Sequence, residues 1–236
     1  MELVVSELKK SFEHQQVLRG ASFTFQKGHI YGLLGRNGAG KTTFFNCLNG
    51  DLQTDAGSAL LRKENGVERP LAYSDIGYVQ SVPIVPDFLT AREFLKFFLE
   101  INRDRIRDPQ SPDAYLDSMQ IAAEDRGKLL RDYSHGMKNK MQMLIHFIAD
   151  PPIMLLDEPL TSLDVVMAEE MKQLLRRRRE SHITILSTHI MELALDLCDE
   201  IVILHKGVLS PVIREQLDDE DYKNRIIAAL KEDGNG

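Results

Sequence analysis

Two short segments of this 236-residue chain hold the residue types needed to handle a phosphate ester. The first is Gly35-Arg36-Asn37-Gly38-Ala39-Gly40-Lys41-Thr42, which fits G-x-x-x-x-G-K-[ST] at every position. Glycines at these places let backbone N–H groups converge on phosphate oxygens where bulkier side chains would block the approach. A helix beginning here adds a dipole that favours an anion. Lys41 is then expected to reach the β- and γ-phosphates of a nucleotide, and the Thr42 hydroxyl to bind Mg²⁺. The second segment, Ile153-Met154-Leu155-Leu156-Asp157-Glu158, is an apolar run that ends in two acids. Successive strand residues face opposite ways, so the two carboxylates should differ in role. Asp157 is placed for the Mg²⁺ shell, and Glu158 for polarising an attacking water as general base.

These groups need a frame. Ile30-Tyr31-Gly32-Leu33-Leu34 is continuously apolar, as a strand covered on both faces is. A helix is expected from Lys41 to Leu48. Strands are expected at 76–79, 153–156, 184–187 and 201–204, and helices at 165–178 and 190–197. Alternation of this kind builds a largely parallel sheet. Residues 3–34 read as strands, with Ala21-Ser22-Phe23-Thr24-Phe25 alternating at period two. Residues 87–150 are helical in pattern, notably 91–100 and 113–123, with a break at Asp108-Pro109-Gln110-Ser111-Pro112. The expected architecture is an α/β P-loop NTPase core (1–86 and 151–210) with a mostly parallel sheet. To it are added an N-terminal antiparallel β subdomain, an inserted α-helical subdomain (87–150), and a charged tail (211–236) ending in a helix near Tyr222 to Lys231. Residues 57–75 follow no clear strand pattern.

Smaller segments follow in a fixed order. Gln80 closes Ile76-Gly77-Tyr78-Val79, and Tyr133-Ser134-His135-Gly136-Met137 opens an apolar helix. Ser162-Leu163-Asp164 follows Glu158-Pro159, His189 follows Ser187-Thr188, and Phe12 precedes Val17-Leu18. Singly, each has an ordinary reading: a packed histidine, a core phenylalanine. In this order they make the chain resemble the ATP-binding cassette of ABC transporters over nearly its whole length. The resemblance implies a Q-loop at Gln80, a signature at Ser134, His135, Gly136 and Met137 that acts across a dimer, a D-loop at Ser162, Leu163 and Asp164, and a switch histidine at His189. Its nucleotide-binding set is Phe12 (stacked on adenine), Val17, Asn37, Gly38, Ala39, Gly40, Lys41, Thr42, Thr43 and Asp157. Thr42, Gln80 and Asp157 fall to the metal, and Glu158, His189 and Gln80 to catalysis. The signature carries His135 where the family usually has glycine and Met137 where it has glutamine, a variant similar to those of ABC-2-type exporters. Ser134 is also a good N-cap for the helix that follows.

The resemblance implies an ATPase, with ATP and Mg²⁺, that powers export of a drug, peptide, lipid or polysaccharide. Its implied partners are a separate membrane-spanning permease and a second cassette, either this chain or a relative. A permease helix is expected to dock near Gln80 and residues 81–98, where Phe88, Phe94, Phe97 and Phe98 cluster, at least two of them as core. The implied location is the cytoplasm, at the inner face of the membrane through the permease.

Composition narrows the alternatives. Hydrophobic residues make up 43% and charged residues 28%, as in an ordinary globular chain. A net charge of -7 gives no reason to expect nucleic-acid binding. No apolar run approaches the roughly 18 residues of a membrane span, and MELVVSELKKSFEHQQ has no signal-peptide core. Cys47 and Cys198 lack metal spacing and read as buried packing residues. Arg176 to Arg179 cover a full helical turn, so they cannot share one groove, and read as a solvated helix end. A GTPase would need N-K-x-D, and Asn139-Lys140-Met141-Gln142 lacks the aspartate. A non-transport cassette working on nucleic acid or the ribosome would bring a coiled-coil insert or a second cassette, and the sequence holds neither.

Overall fold

A computed structural model describes residues 1–13, 15–106, 108–161, 163–213 and 219–231. The strands are β1 (Glu2–Phe12), β2 (Gln15–Gln26), β3 (His29–Leu34), β4 (Ala56–Arg62), β5 (Glu68–Pro70), β6 (Ile76–Val79), β7 (Ile153–Asp157), β8 (Ile183–Thr188), β9 (Glu200–His205) and β10 (Val208–Val212). The helices are α1 (Lys41–Asn49), α2 (Ala91–Ile101), α3 (Pro112–Ser118), α4 (His135–Ala149), α5 (Val165–Arg178), α6 (Met191–Leu197) and α7 (Asp219–Lys231).

The apolar runs form one six-stranded sheet in the order β10-β9-β3-β8-β7-β6. Its pairs are parallel except for β10, which returns antiparallel along β9. Every residue of β6, β7 and β8 is buried, which is why these strands read as unbroken apolar stretches and do not alternate. A second sheet, β2-β1-β4-β5, is antiparallel throughout. One core fills the space between the two sheets and takes in α1, with Phe25, Phe44, Phe45 and Leu155 fully buried. Another covers the opposite face of the parallel sheet, where Leu95, Leu116, Met141 and Leu144 from α2–α4 meet Leu156 and Leu186. Helix α7 lays Tyr222 and Ile226 over Leu34, Ala194, Ile201 and Ile203.

Residues 57–75 do form strands, β4 and β5, completing the antiparallel sheet. Only Leu61 of β4 is buried, so no alternation marks it in the sequence. Long-range features hold it instead. Arg62 bridges Glu2 and Glu68, Arg69 grips Asp75, and Gly57 (φ 88°) sits against an irregularity in β1. A Cβ on Gly57 would lie 2.2 Å from the Glu7 carbonyl oxygen, so the approach requires glycine.

Two further expectations are corrected. The helix at 113–123 stops at Ser118: Gln120 turns left-handed (φ 52°) and the Ile121 N–H bonds back to the Leu116 carbonyl at 3.0 Å, a C-terminal cap. The arginine run is not simply solvated. Arg176 pairs with Asp196, Arg178 with Asp150, and Arg179 with Asp199; the Arg178 guanidinium also lies over the Phe147 ring. These contacts tie α5 to α6 and to the end of α4. Among the described residues, no helix is long and apolar enough to cross a membrane.

Candidate active site

Parallel register sets the chemistry along one edge. Leu34 pairs with Thr188, and Asp157 with Ser187, so β3, β7 and β8 all end beside one another, the edge where open α/β sheets bind ligands. The loop after β3 turns into α1 through Gly40, which is left-handed (φ 102°) and has no side-chain cap. The first N–H groups of α1 are therefore left for an incoming anion. A Cβ on Gly40 would fall 2.7 Å from Val17 Cγ1, and one on Gly35 2.8 Å from the Leu204 carbonyl oxygen. Lys41 is buried and its ammonium donates to the Gly35 carbonyl at 2.7 Å. Burial pulls its pKa below the ordinary lysine value, with Glu158 and Asp157 opposing the shift.

Asp157 is fixed from two sides. Thr42 Oγ1 donates to Oδ2 at 2.7 Å, and Ser187 Oγ donates to Oδ1. The Glu158 N–H donates to Ser187 O and Oγ, and its backbone is left-handed (φ 50°). That turn aims the side chain back at the cleft. Glu158 Oε1 lies 2.9 Å from His189 Nδ1, and Oε2 is buried with no hydrogen-bond partner. The cleft between them, about 460 Å³, is walled by Phe12, Gln15, Val17, residues 36–43, Ser81, Asp157 and Glu158. Phe12 is 42% exposed there, so it is not a core residue.

Not every residue singled out from the sequence reaches this cleft. Gln80, partly buried at the end of β6, is absent from its wall, where Ser81 stands instead. Ser134 caps α4, accepting from the Met137 N–H at 3.2 Å. Ser134 and His135 are exposed, Gly136 is buried and Met137 is partly buried; none of the four lines the cleft. Asp164 caps α5 by accepting from the Met167 N–H at 2.9 Å, Leu163 is partly buried, and Ser162 lies outside the described residues. Ser187, which orients both acids, had no assigned role in the sequence reading. Its position directly before Thr188-His189 at a strand end was the available signal.

The residues fit a triphosphate with a divalent cation. The uncapped α1 N-terminus and buried Lys41 suit phosphate oxygens, and the Thr42–Asp157 oxygen pair suits a hard cation. The unpartnered Glu158 Oε2 suits a water.

The model of the family described as ABC transporter matches residues 18–161. The chain belongs to this family. It is 30% identical over 208 residues to the ABC transporter ATP-binding protein YxlF of Bacillus subtilis, spanning 88% of this chain and 69% of that one. It spans only 23% of a longer Arabidopsis thaliana relative, ABC transporter A family member 7, at 31% identity. Among solved structures, an ATP-binding subunit of an ABC transporter superimposes with a TM-score of 0.80 at 24% identity, covering 97% of this chain and 99% of that one. The cassette MJ0796, solved as a dimer in a post-hydrolysis state bound to ADP and Pi, gives 0.75 at 19% identity, covering 89% and 99%. At those identities the two structures speak for the fold alone. This ABC cassette thus combines the family's ATP-binding fold with the geometry above.

Proposed function

We propose that this cassette hydrolyses ATP and that two cassettes, closing head to tail on the nucleotide, drive a membrane-bound exporter. The observation that carries the hydrolytic reading is Glu158, with one carboxylate oxygen on His189 and the other buried and unpartnered beside the phosphate loop. Lys41 and the α1 N–H groups would hold the phosphates, and Thr42 and Asp157 would hold Mg²⁺. Bound Mg²⁺ would neutralise charge that develops on the transferring phosphoryl group. Glu158 takes the proton of the attacking water, and His189, oriented through Nδ1, keeps Nε2 for a second partner. Phe12, Val17 and Thr43 belong to the nucleotide wall, and Gln80, one residue from that wall, is assigned to sensing the metal.

The exposed Ser134 and His135 at the front of the signature support action across a dimer. Ser134, His135, Gly136 and Met137 stand at a helix N-terminus outside the nucleotide cleft of their own chain, and the dimeric MJ0796 structure shares the fold. Leu163 and Asp164, at the start of α5, are assigned to the D-loop that meets the second cassette. The His135 and Met137 variant favours export, as in ABC-2-type systems, over import.

A permease helix is assigned to an apolar groove of about 700 Å³ lined by Ile84, Val85, Phe88, Phe94, Phe97 and Ile145. Phe88 is 77% and Phe97 55% exposed, whereas Phe94 is buried, so the first two are the docking surface. That contact would hold the cassette at the inner face of the membrane. The direct test is Lys41→Ala: calorimetric titration should show tight ATP binding lost, and unchanged affinity would overturn the reading.

A further inference from the structure

Asn139 is a polar residue in the body of α4, 2% exposed and five positions past Ser134. Asparagine is a weaker helix former than leucine or methionine, and a buried amide must replace the water it gives up. Its partner lies off the helix: Asn139 Nδ2 donates to the Pro159 carbonyl at 2.7 Å. A carbonyl acceptor selects the NH₂ end of the amide, so the side chain has one orientation here. Oδ1 is buried with no hydrogen-bond partner among the described residues. The bond that Asn139 makes away from its own helix is thus to the residue that follows Glu158.

The turn at Glu158 has to be held. Its backbone is left-handed (φ 50°), a conformation that a residue with a Cβ keeps only where its surroundings impose it. On the strand side, the Glu158 N–H donates to Ser187 O and Oγ. On the far side, the Thr161 hydroxyl donates to the Glu158 carbonyl at 2.9 Å. Between them stands Pro159, buried and with no N–H of its own. Its carbonyl is therefore the one backbone polar group by which residue 159 can be held, and Asn139 holds it. Releasing that carbonyl would free the peptide plane after Pro159 and loosen the turn that aims the Glu158 carboxylate.

We propose that Asn139 is a positioning residue for hydrolysis, keeping Glu158 aimed at the attacking water through the Pro159 carbonyl. The proposal rests on Glu158 being the general base. Asn139 does not line the nucleotide cleft, so its loss should slow the reaction and leave ATP binding as it is. A misplacement of about 1 Å at a reacting group is enough to cost about 10²-fold in rate.

The test is a double-mutant cycle on the full chain, read as steady-state ATP hydrolysis with Mg²⁺. Asn139→Leu keeps the volume and removes the donor. It should lower kcat by about tenfold or more, with KM for ATP within about twofold of wild type. In Glu158→Ala no carboxylate remains to be aimed, and adding Asn139→Leu there should lower the residual rate by less than about twofold. A kcat within about threefold of wild type in Asn139→Leu overturns the proposal. An equal fold loss in the wild-type and Glu158→Ala backgrounds also overturns it, since general damage to the fold acts on both alike. Should Asn139→Leu not fold, Asn139→Ser, whose hydroxyl stops short of Pro159, is held to the same limits. A wild-type rate in Glu158→Ala alone is a different failure: it removes the base, and this proposal with it, whereas the first two outcomes leave Glu158 as the base.

Discussion

Glu158 and His189 meet at 2.9 Å, Oε1 to Nδ1, although they leave different strands of the sheet. The contact depends on Ser187, whose carbonyl and hydroxyl both accept from the Glu158 N–H and so hold its left-handed turn. Glu158→Gln keeps that shape and removes the carboxylate. Hydrolysis should slow by about 10²–10⁴-fold, the usual loss of a general base, while ATP affinity stays. With ATP and Mg²⁺ the mutant should shift from monomer to dimer in light scattering, and adding Ser134→Arg should keep it monomeric. A wild-type hydrolysis rate in Glu158→Gln would remove Glu158 from the base role.

Gly57→Ala should destabilise the fold. Its backbone is left-handed and its Cβ would run into the Glu7 carbonyl of β1, so a loss of about 1–3 kcal/mol or more is expected. Urea unfolding of the two proteins measures it, and coincident midpoints would show that the β1 irregularity relaxes freely.

His146 links stability to pH. Burial pulls its pKa down to about 4, and a hydrogen bond to the Tyr78 backbone only partly opposes this. In the unfolded chain the ring protonates near its ordinary value of about 6.5. Between those two values the unfolded state binds a proton that the folded state does not. The contribution is therefore fully present above about pH 6.5 and falls as pH drops, by up to about 1.4 kcal/mol per unit. His146→Leu should flatten this part of the stability profile between pH 7.5 and 4.5. Equal slopes in mutant and wild type would show that other groups produce the acid sensitivity.

Phe88→Asp and Phe97→Asp, made together, should abolish copurification of the cassette with its membrane partner. Both rings are exposed on the groove beside α2, so folding should survive and ATPase activity of the isolated chain should stay within twofold. Crosslinks that reach the partner only through the C-terminal helix would rule the groove out.

Much of this was legible because it is local. A glycine-rich loop between an apolar strand and a helix states its own chemistry, and so does an apolar strand ending in Asp157 and Glu158. What escaped depends on distant partners. β4 has one buried residue, and its place is set by β1 and by Arg62, not by its own pattern. The length of α3 was decided by the left-handed Gln120, a conformation that glutamine rarely adopts. The arginine run could not be read without knowing that Asp150, Asp196 and Asp199 lie within reach. Gln80 was assigned to the metal by resemblance alone, and at the end of β6 its neighbour Ser81 is the residue that lines the cleft.

The base of α4 has a mechanical consequence. Beneath it β6 has no room: a Cβ on Gly77 would lie 2.9 Å from Met154 Sδ and 3.2 Å from His146 Cβ. The helix is thus seated firmly at the end far from Ser134, on the strand that runs into Gln80. At about 1.5 Å per residue its 15 residues make a rod of roughly 22 Å, so a tilt of about 10° at the seat swings the Ser134 tip by roughly 4 Å. Any change of angle at this seat would therefore be magnified at the Ser134 end of the helix.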